Sequence, residues 1–239
     1  MADLILASGG MPEDMRRRLE TEVGGEYDIL YLPPDPALPA PVAPHPDMIA
    51  FALGDSVVMP AEYLDRYPGI AVRIKEKTGI EPIRSQAARG PRYPDDIALN
   101  CAAAGNVLFC HYSHAAPEIK EIARRRGLRL VGVRQGYAAC SCLTGDGFFI
   151  TADPSLAAAA DAEGLDPLVI KEGHISLPGY GTGFIGGASG AVGKRVFFFG
   201  DLFSHPDGEA IAKRISDAGF EFVCLSGGPL LDSGGLKTV

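Results

Sequence analysis

The chain has 239 residues, of which 46% are hydrophobic and 22% are charged, and it carries a net charge of −8. This composition excludes a disordered chain, and the acidic balance excludes a general nucleic-acid-binding protein because phosphate backbones repel it. The five cysteines form no C-x-x-C pair, no apolar stretch reaches the ~18 residues of a membrane span, and the first residues do not form a secretory signal. We therefore expect a soluble cytoplasmic protein without disulfides or membrane partners. The sequence carries no signal for an oligomeric state.

One pattern of elements recurs five times along the chain. Each copy predicts a tight turn, a short apolar strand, a helix that begins near a proline, a glycine that ends the helix, and a second apolar strand. The copies begin, in chain order, at Ala2, Gly54, Gly105, Gly145 and Gly193. The apolar runs of the later copies, which suit strands buried on both faces, are Val57–Val58, Val107–Phe109, Phe148–Ile150 and Val196–Phe199.

The spacing of the turns indicates how the copies are arranged. The turn residues Asp3, Asp55, Asn106, Asp146 and Lys194 are 52, 51, 40 and 48 residues apart. The count from Lys194 through Val239 back to Asp3 is again 48. A spacing that closes across the termini predicts a ring, whereas an open array would end in atypical capping units. The alternative is a doubly wound α/β sheet, in which strands and helices also alternate.

Between the copies lie connecting segments, each of which we expect to hold one further strand that faces the centre of the ring. They are His45–Leu53, Tyr93–Ala104, Gly136–Thr144, Gly179–Val192 and Pro229–Val239. The last one would supply the strand that the N-terminal copy lacks. The predicted fold is therefore a single domain over residues 1–239, a five-bladed α/β propeller of ββαβ units closed by its N- and C-terminal strands.

This repeat resembles the α/β propeller of the pentein, or guanidino-group-modifying, superfamily. The stretch GHISLPGYGTGFIGGASG (Gly173–Gly190) is similar to a stretch of dimethylarginine and arginine hydrolases, and HPDGEAIAKRI and GNVLFC are similar to segments of ribosome anti-association factors of this fold. Taken together, HPD, YPDDIALN, QGYAACS, GFIGGASG, SHPD and LLDSGG resemble an uncharacterised bacterial family of unknown function assigned to the same fold. The resemblance implies a small-molecule site at the centre of the ring.

The sequence departs from the catalytic members at one position. Those enzymes place a nucleophilic cysteine on the last segment, but SGGLKTV contains none, and Cys224 lies upstream in the apolar run FVCL. Fold analogy therefore does not establish an activity.

Polar residues on the connecting segments are the candidates for binding a ligand. They are His45, Asp47, Asp95, Asp96, Asn100, Asp232 and Ser233. Clustered carboxylates suit a guanidinium or amidinium ligand, because this planar cation accepts bidentate, charge-assisted pairing. The alternative for Asp47 and Asp95, which both follow a proline, is that they cap a helix or turn.

Three residues are candidates for catalysis. Cys140 and Cys142 would face the same side of a strand, and either could act as a nucleophile if a neighbouring charge lowered its pKa. The alternative is a pair of small buried residues. His174 opens the pentein-like segment and is the candidate general acid/base, the alternative being a structural histidine.

We expect neither a metal nor a cofactor. C-x-C with scattered histidines is a poor zinc spacing, and GFIGGASG does not match the dinucleotide fingerprint. The leading hypothesis is a hydrolase or amidinotransferase-like enzyme that acts on a small cationic guanidino or amidine compound. The alternative is a non-catalytic binding protein on the same ring, which the missing terminal cysteine favours.

Overall fold

A computed structural model describes residues 3–239 as five sheets of three strands each. Sheet 1 contains β1 and β2 of the N-terminal region together with the last strand, β15, and sheets 2 to 5 each contain three consecutive strands. The strands are β1 (Asp3–Ser8), β2 (Tyr27–Leu32), β3 (Phe51–Leu53), β4 (Ser56–Pro60), β5 (Ile83–Ser85), β6 (Ala102–Ala104), β7 (Val107–Cys110), β8 (Arg129–Gly132), β9 (Cys142–Gly145), β10 (Phe148–Thr151), β11 (Leu168–Val169), β12 (Ser189–Val192), β13 (Arg195–Phe198), β14 (Glu221–Cys224) and β15 (Lys237–Thr238).

All five sheets have the same pairing. The middle strand pairs antiparallel with one neighbour and parallel with the other, which follows it after a helical crossover. In sheets 2 to 5 the antiparallel pair is a tight hairpin; in sheet 2, Phe51 pairs with Val58 and Val58 with Ile83. We call the antiparallel partners β15, β3, β6, β9 and β12 the inner strands, because together they line a common channel. The predicted ββαβ unit is confirmed.

Eight α-helices accompany the strands in the part of the chain that the structure describes. They are α1 (Glu13–Val23), α2 (Pro46–Ile49), α3 (Ala61–Arg66), α4 (Pro68–Thr78), α5 (Pro117–Arg125), α6 (Ala138–Ser141), α7 (Pro154–Ala162) and α8 (Gly208–Asp217). Prolines occupy the first turn of several of them. Backbone N–H groups in the first turn have no intrahelical acceptor, so a proline there removes no hydrogen bond. At α7 the Asp153 side chain caps the helix by accepting from the backbone N–H groups of Ser155 and Leu156.

The chain closes on itself at sheet 1. Ile5 pairs with Thr238 and Leu6 with Lys237 in the antiparallel β1–β15 ladder. Beside them, the backbones of Leu4 and Val239 exchange two hydrogen bonds of 2.9 and 2.8 Å. The C-terminal segment thus supplies the inner strand that the N-terminal copy lacks, which confirms the ring and excludes one continuous doubly wound sheet.

The core lies on both sides of the middle strands. Every residue of β4, β7 and β10 is buried, as expected for short apolar runs between an inner strand and a helix layer. The inner strands carry small residues such as Ala102–Ala104, which leave room at the centre of the ring. Within residues 3–239, no helix is long and apolar enough to cross a membrane.

Candidate functional site

The segments that precede the inner strands converge at one end of the channel. The Asp47 N–H donates to the carbonyl of Gly234 at 3.0 Å, and the Gly187 N–H donates to the carbonyl of Cys140 at 3.1 Å. The Ala139 N–H donates to the side-chain Oδ1 of Asn100 at 2.8 Å. These bonds join segments from all five units, so the convergence is a direct result of ring closure.

A cavity of about 320 Å³, which we call the central cavity, opens at this end. It is lined by Val42, His45, Met48, Asp96, Tyr137, Cys140, Leu177, Tyr180, Gly181, Thr182, Phe184 and Asp232. Titratable groups and a thiol therefore share one enclosed volume with apolar and aromatic side chains, which is the composition expected of a small-molecule site.

Asp47 lies between the lining residues His45 and Met48 in the sequence; it is not itself a lining residue and has an unpaired carboxylate. It is 1% exposed, and neither of its carboxylate oxygens accepts a hydrogen bond from any described residue. Its backbone is fixed on both sides, since its N–H donates to Gly234 and its carbonyl accepts from the Asn100 amide at 3.1 Å. Burying a carboxylate without a partner destabilises the folded state by several kcal/mol. A bound cation or a proton on the Asp47 carboxylate would remove this penalty.

Asp232 and His45 form a second polar group of the cavity. The carboxylate of Asp232 accepts from the backbone N–H groups of Phe184 and Gly234 at 2.9 and 3.1 Å, and its Oδ1 lies 3.6 Å from His45 Nδ1. Burial, followed by the negative charge of Asp47, raises the pKa of Asp232 from 3.8 to about 7. Burial lowers the pKa of His45, while the charge of Asp47 acts in the opposite direction.

Cys140 lies between these acids and Asn100. The Asn100 amide Nδ2 donates to Cys140 Sγ at 2.9 Å, and its Oδ1 accepts from the backbone N–H of Cys140 at 3.3 Å. Burial, the negative charges of Asp47 and Asp232, and the direct approach of the thiol to the Asp47 carboxylate raise the pKa of Cys140 well above its ordinary value, against the effect of the Asn100 hydrogen bond. The thiol is therefore protonated in the absence of a positive ligand.

A further carboxylate, Asp96, lies against the aromatic wall of the cavity. The Tyr137 hydroxyl donates to Asp96 Oδ2 at 2.9 Å, whereas Asp96 Oδ1 is buried and has no partner among the described residues. Burial raises the pKa of Asp96, and the hydrogen bond from Tyr137 opposes that shift. The Tyr137 ring continues the wall through Tyr93 and Phe184, with ring centroids 5.7 and 6.3 Å away.

Asp47 and Asp95 share the x-P-D pattern but occupy different places. Asp47 lies four residues before the inner strand that begins at Phe51, and Asp95 lies seven residues before the one that begins at Ala102. This offset of three residues buries Asp47 at the ring centre and leaves Asp95 exposed; neither residue belongs to the lining of the central cavity. The identical letters therefore do not mark equivalent positions.

The structure does not bring His174 to the other candidates. Its side chain is exposed, its backbone has a positive φ of 61°, and its ring packs 5.7 Å from that of His205. It lines a shallower cleft with Ser176, Ser204 and Pro229. Its catalytic role stays a prediction that this placement does not support.

The other candidates, Cys142 and Ser233, do not line the central cavity, and neither does Cys224. Cys142 is buried on the inner strand β9, where its thiol donates to the carbonyl of Ala138 at 2.9 Å and lines the channel instead of the central cavity. Burial raises its pKa to about 12. Ser233 is buried next to Asp232, and its backbone N–H donates to the carbonyl of Gly187 at 3.0 Å. Cys224 lies on the outer strand β14, away from the cavity.

Sequence reasoning missed the aromatic wall. Tyr137 belongs to the QGYAACS stretch, three residues before Cys140, and that short spacing is the signal that could have placed it at the site. Phe184 lies in GFIGGASG, a stretch whose glycine spacing does not indicate an aromatic side chain at the site. Within residues 3–239, no group of three or more His, Cys, Asp or Glu side chains is arranged to hold a metal ion.

Comparisons with known proteins agree with this architecture. The model of the "Family of unknown function (DUF6873)" matches residues 6–236. No protein of curated function matches the chain. A dimethylarginine dimethylaminohydrolase from Pseudomonas aeruginosa, solved with citrulline, is similar over 98% of this chain and 94% of its own, at 12% identity and a TM-score of 0.57.

Two further solved structures share the fold. The N-terminal domain of ArgZ, an arginine dihydrolase from cyanobacteria solved with its product, is similar over 99% of this chain and 95% of its own, at 12% identity and a TM-score of 0.55. SxtG, an amidinotransferase from Microseira wollei, is similar over 93% and 88%, at 11% identity and a TM-score of 0.51. At such identities the likeness shows the fold alone. The chain belongs to the DUF6873 family of unknown function and has the five-fold α/β-propeller fold of the pentein superfamily.

Proposed function

We propose that this protein is a hydrolase- or transferase-type enzyme that binds the amidinium or guanidinium group of a small organic cation in the central cavity. Asp47 and Asp232 would bind the cation, and Cys140 would be the nucleophile. The observation that carries the proposal is the buried, unpartnered carboxylate of Asp47 beside Asp232 and the Cys140 thiol.

A cation at this position would satisfy several unmet requirements at once. It would pair with Asp47, and it would favour the ionised form of Asp232, whose pKa is raised in the empty cavity. It would also weaken the negative potential at Cys140, because its positive charge offsets part of the negative charge that raises the thiol pKa. The ligand would in this way activate the sulfur that attacks it.

The proposed chemistry, written for a guanidinium ligand, takes place at its central carbon. The Cys140 sulfur forms a bond to this carbon, the C=N π electrons move onto a ligand nitrogen, and the thiol proton passes by way of the His45–Asp232 pair to the nitrogen that leaves. The C–N bond breaks, which releases ammonia or an amine and leaves an isothiouronium group on Cys140. Water or a second amine then adds to the carbon and the C–S bond breaks, so that the thiol is restored and a urea or a new guanidine is released.

Two observations favour a second candidate, a non-catalytic binding protein for the same cations. The thiol pKa is raised, not lowered, and Cys140 lies on the short helix α6 instead of the last segment. Under this alternative Cys140 is a small buried residue of the cavity floor. The raised pKa decides between the two candidates only if it persists when a cation is bound.

The test compares two alkylating reagents of equal size, chloroacetamidine and chloroacetamide. The amidinium of the first imitates the proposed ligand, whereas the second is neutral. We expect chloroacetamidine to alkylate Cys140 at pH 7 at least about tenfold faster than chloroacetamide, a factor that corresponds to ~1.4 kcal/mol. Peptide mass spectrometry identifies the modified cysteine.

Two variants make the test specific. Asp47→Asn should abolish the preference for the charged reagent, and Asp95→Asn, the exposed residue of the same x-P-D pattern, should retain it. If a saturating guanidine competes with alkylation but Cys140 shows no preference for the amidinium reagent, the binding protein is favoured. If guanidines neither compete nor bind, both candidates are wrong.

A further inference from the structure

The walls of the central cavity differ in character from its acidic end. Val42, Met48 and Leu177 contribute apolar side chains, and the rings of Tyr137, Phe184 and Tyr180 complete the enclosure. Tyr180 is 48% exposed, which places it at the mouth. A ligand whose charged group contacts Asp47 and Asp232 would therefore place the rest of its length against hydrocarbon and aromatic surface.

The lining contains carboxylates and the hydroxyl donors of Tyr180 and Thr182, but no permanently charged cation. No lysine or arginine is found among the cavity-lining residues of the described chain. Of the cations nearby, Arg89 does not line the cavity; its Nη1 is paired with Asp35 at 2.7 Å, and its buried Nε and Nη2 have no partner among the described residues. Lys171 lines an adjacent cleft that shares Thr182 and Phe184 with the cavity, and its Nζ lies 3.7 Å from Asp207.

From this asymmetry we infer that the ligand is a cation without a carboxylate, such as a decarboxylated or aryl-substituted alkylguanidine, and not an α-amino acid. This inference rests on the proposed function and specifies its substrate class. An α-carboxylate seated in the cavity would meet hydroxyl donors such as Tyr180 but no lysine or arginine, and it would add a negative charge to a volume that already contains Asp96 and Asp232.

The experiment measures affinity for a set of guanidines by titration calorimetry. Arginine and agmatine differ only in the α-carboxylate, and 2-phenylethylguanidine replaces the polar tail with a ring. We expect agmatine to bind at least about tenfold more tightly than arginine, because the carboxylate of arginine would be buried beside two acids without a cationic partner. We expect 2-phenylethylguanidine to bind at least as tightly as agmatine, and the neutral 2-phenylethylurea not to bind.

A designed variant tests the same point from the protein side. Tyr180→Arg adds a cation at the mouth of the cavity, where the exposed side chain allows the change, and Tyr180→Gln removes the ring without adding a charge. Relative to Tyr180→Gln, we expect Tyr180→Arg to improve arginine binding over agmatine by about two- to fivefold, the range of an exposed ion pair. Circular dichroism checks that both variants fold.

The outcomes separate this inference from the proposed function. If the guanidines bind in a manner that Asp47→Asn abolishes, but arginine binds as tightly as agmatine or more tightly, the inference is wrong and the proposed function stands. Tighter binding of arginine that is lost in Lys171→Ala would identify the adjacent cleft as a carboxylate site and would also overturn it. If no guanidine binds, the inference and the proposed function fail together.

Discussion

The imidazole of His45 and the carboxylate of Asp232 face each other at 3.6 Å, although 187 positions separate them in the sequence. His45 immediately precedes the helix before inner strand β3, and Asp232 precedes inner strand β15. Because the two inner strands belong to adjacent sheets of the closed ring, the pair exists only when the ring is complete. The protonation of His45 and Asp232 can be followed directly through the pH dependence of stability.

The pH dependence of stability should report the raised pKa of Asp232. The folded protein holds the Asp232 proton up to about pH 7, whereas the unfolded chain releases it near the usual value of 3.8. Between these values the native state binds more protons, so this residue makes stability fall as pH rises, by at most ~1.4 kcal/mol per pH unit. His45, with its lowered pKa, acts in the opposite direction below pH 6.5.

The two contributions are separated by comparing urea unfolding of the wild type with that of Asp232→Asn. The difference in unfolding free energy should change between about pH 4 and pH 7 and be constant above that range. A difference that is constant across the whole range would contradict the raised pKa. Guanidine affinity of the wild type should increase as pH rises towards 7, because the cation binds the ionised carboxylate.

Asp47→Asn should stabilise the fold while it abolishes cation binding. At pH 8 the substitution removes a buried charge that has no hydrogen-bond partner and lies close to the ionised Asp232. We expect a gain of about 1–3 kcal/mol in the free energy of unfolding. Asp95→Asn should change neither property, and a loss of stability in Asp47→Asn would show that its carboxylate has a structural partner.

Asn100 should be required both for stability and for the state of the thiol. Its side chain is 1% exposed and bonds to Ala139, Cys140 and the carbonyl of Asp47. Asn100→Ala should lower the free energy of unfolding by about 2–4 kcal/mol and should slow alkylation of Cys140, since the amide stabilises the thiolate. Asn106→Ala, on an exposed hairpin turn, is the matched control and should do neither.

Gly187 should be essential although it carries no side chain. A Cβ at this position would overlap the carboxylate of Asp232, so Gly187→Ala must displace that group or the backbone that holds it. We expect guanidine affinity to fall at least about tenfold, with a loss of about 1–3 kcal/mol in stability. A Cβ on Gly227 would meet no atom within 4 Å, so Gly227→Ala should leave affinity unchanged.

Much of the fold could be predicted because its signals are local and repeated. Turn residues, apolar runs and helix-initiating prolines mark each unit, and the regular spacing across the termini correctly predicted that β15 completes sheet 1. The connecting segments were also correctly assigned to the centre, so Cys140, Asn100 and Asp232 could be named as candidates before their contacts were known.

The details of the site could not be predicted in the same way. Whether a residue on a connecting segment faces the cavity depends on its distance from the inner strand, and that distance differs by three residues between Asp47 and Asp95. Likewise, the sequence could not distinguish His45 from His174, because the choice depends on which histidine meets Asp232 across the ring. Such partners are set by ring closure and leave no mark on local sequence.

The β1–β15 junction has a consequence for local opening of the ring. Its ladder is short, with two residue pairs flanked by the bonds of Leu4 and Val239, so amide hydrogens there should exchange with solvent earlier than those of the middle strands. A cation that contacts both Asp47 and Asp232 would connect the chain on the two sides of this junction. Bound ligand would then slow hydrogen exchange in β15, although the ligand does not contact that strand. The β1–β15 ladder would open less often, as the other ladders of the ring do.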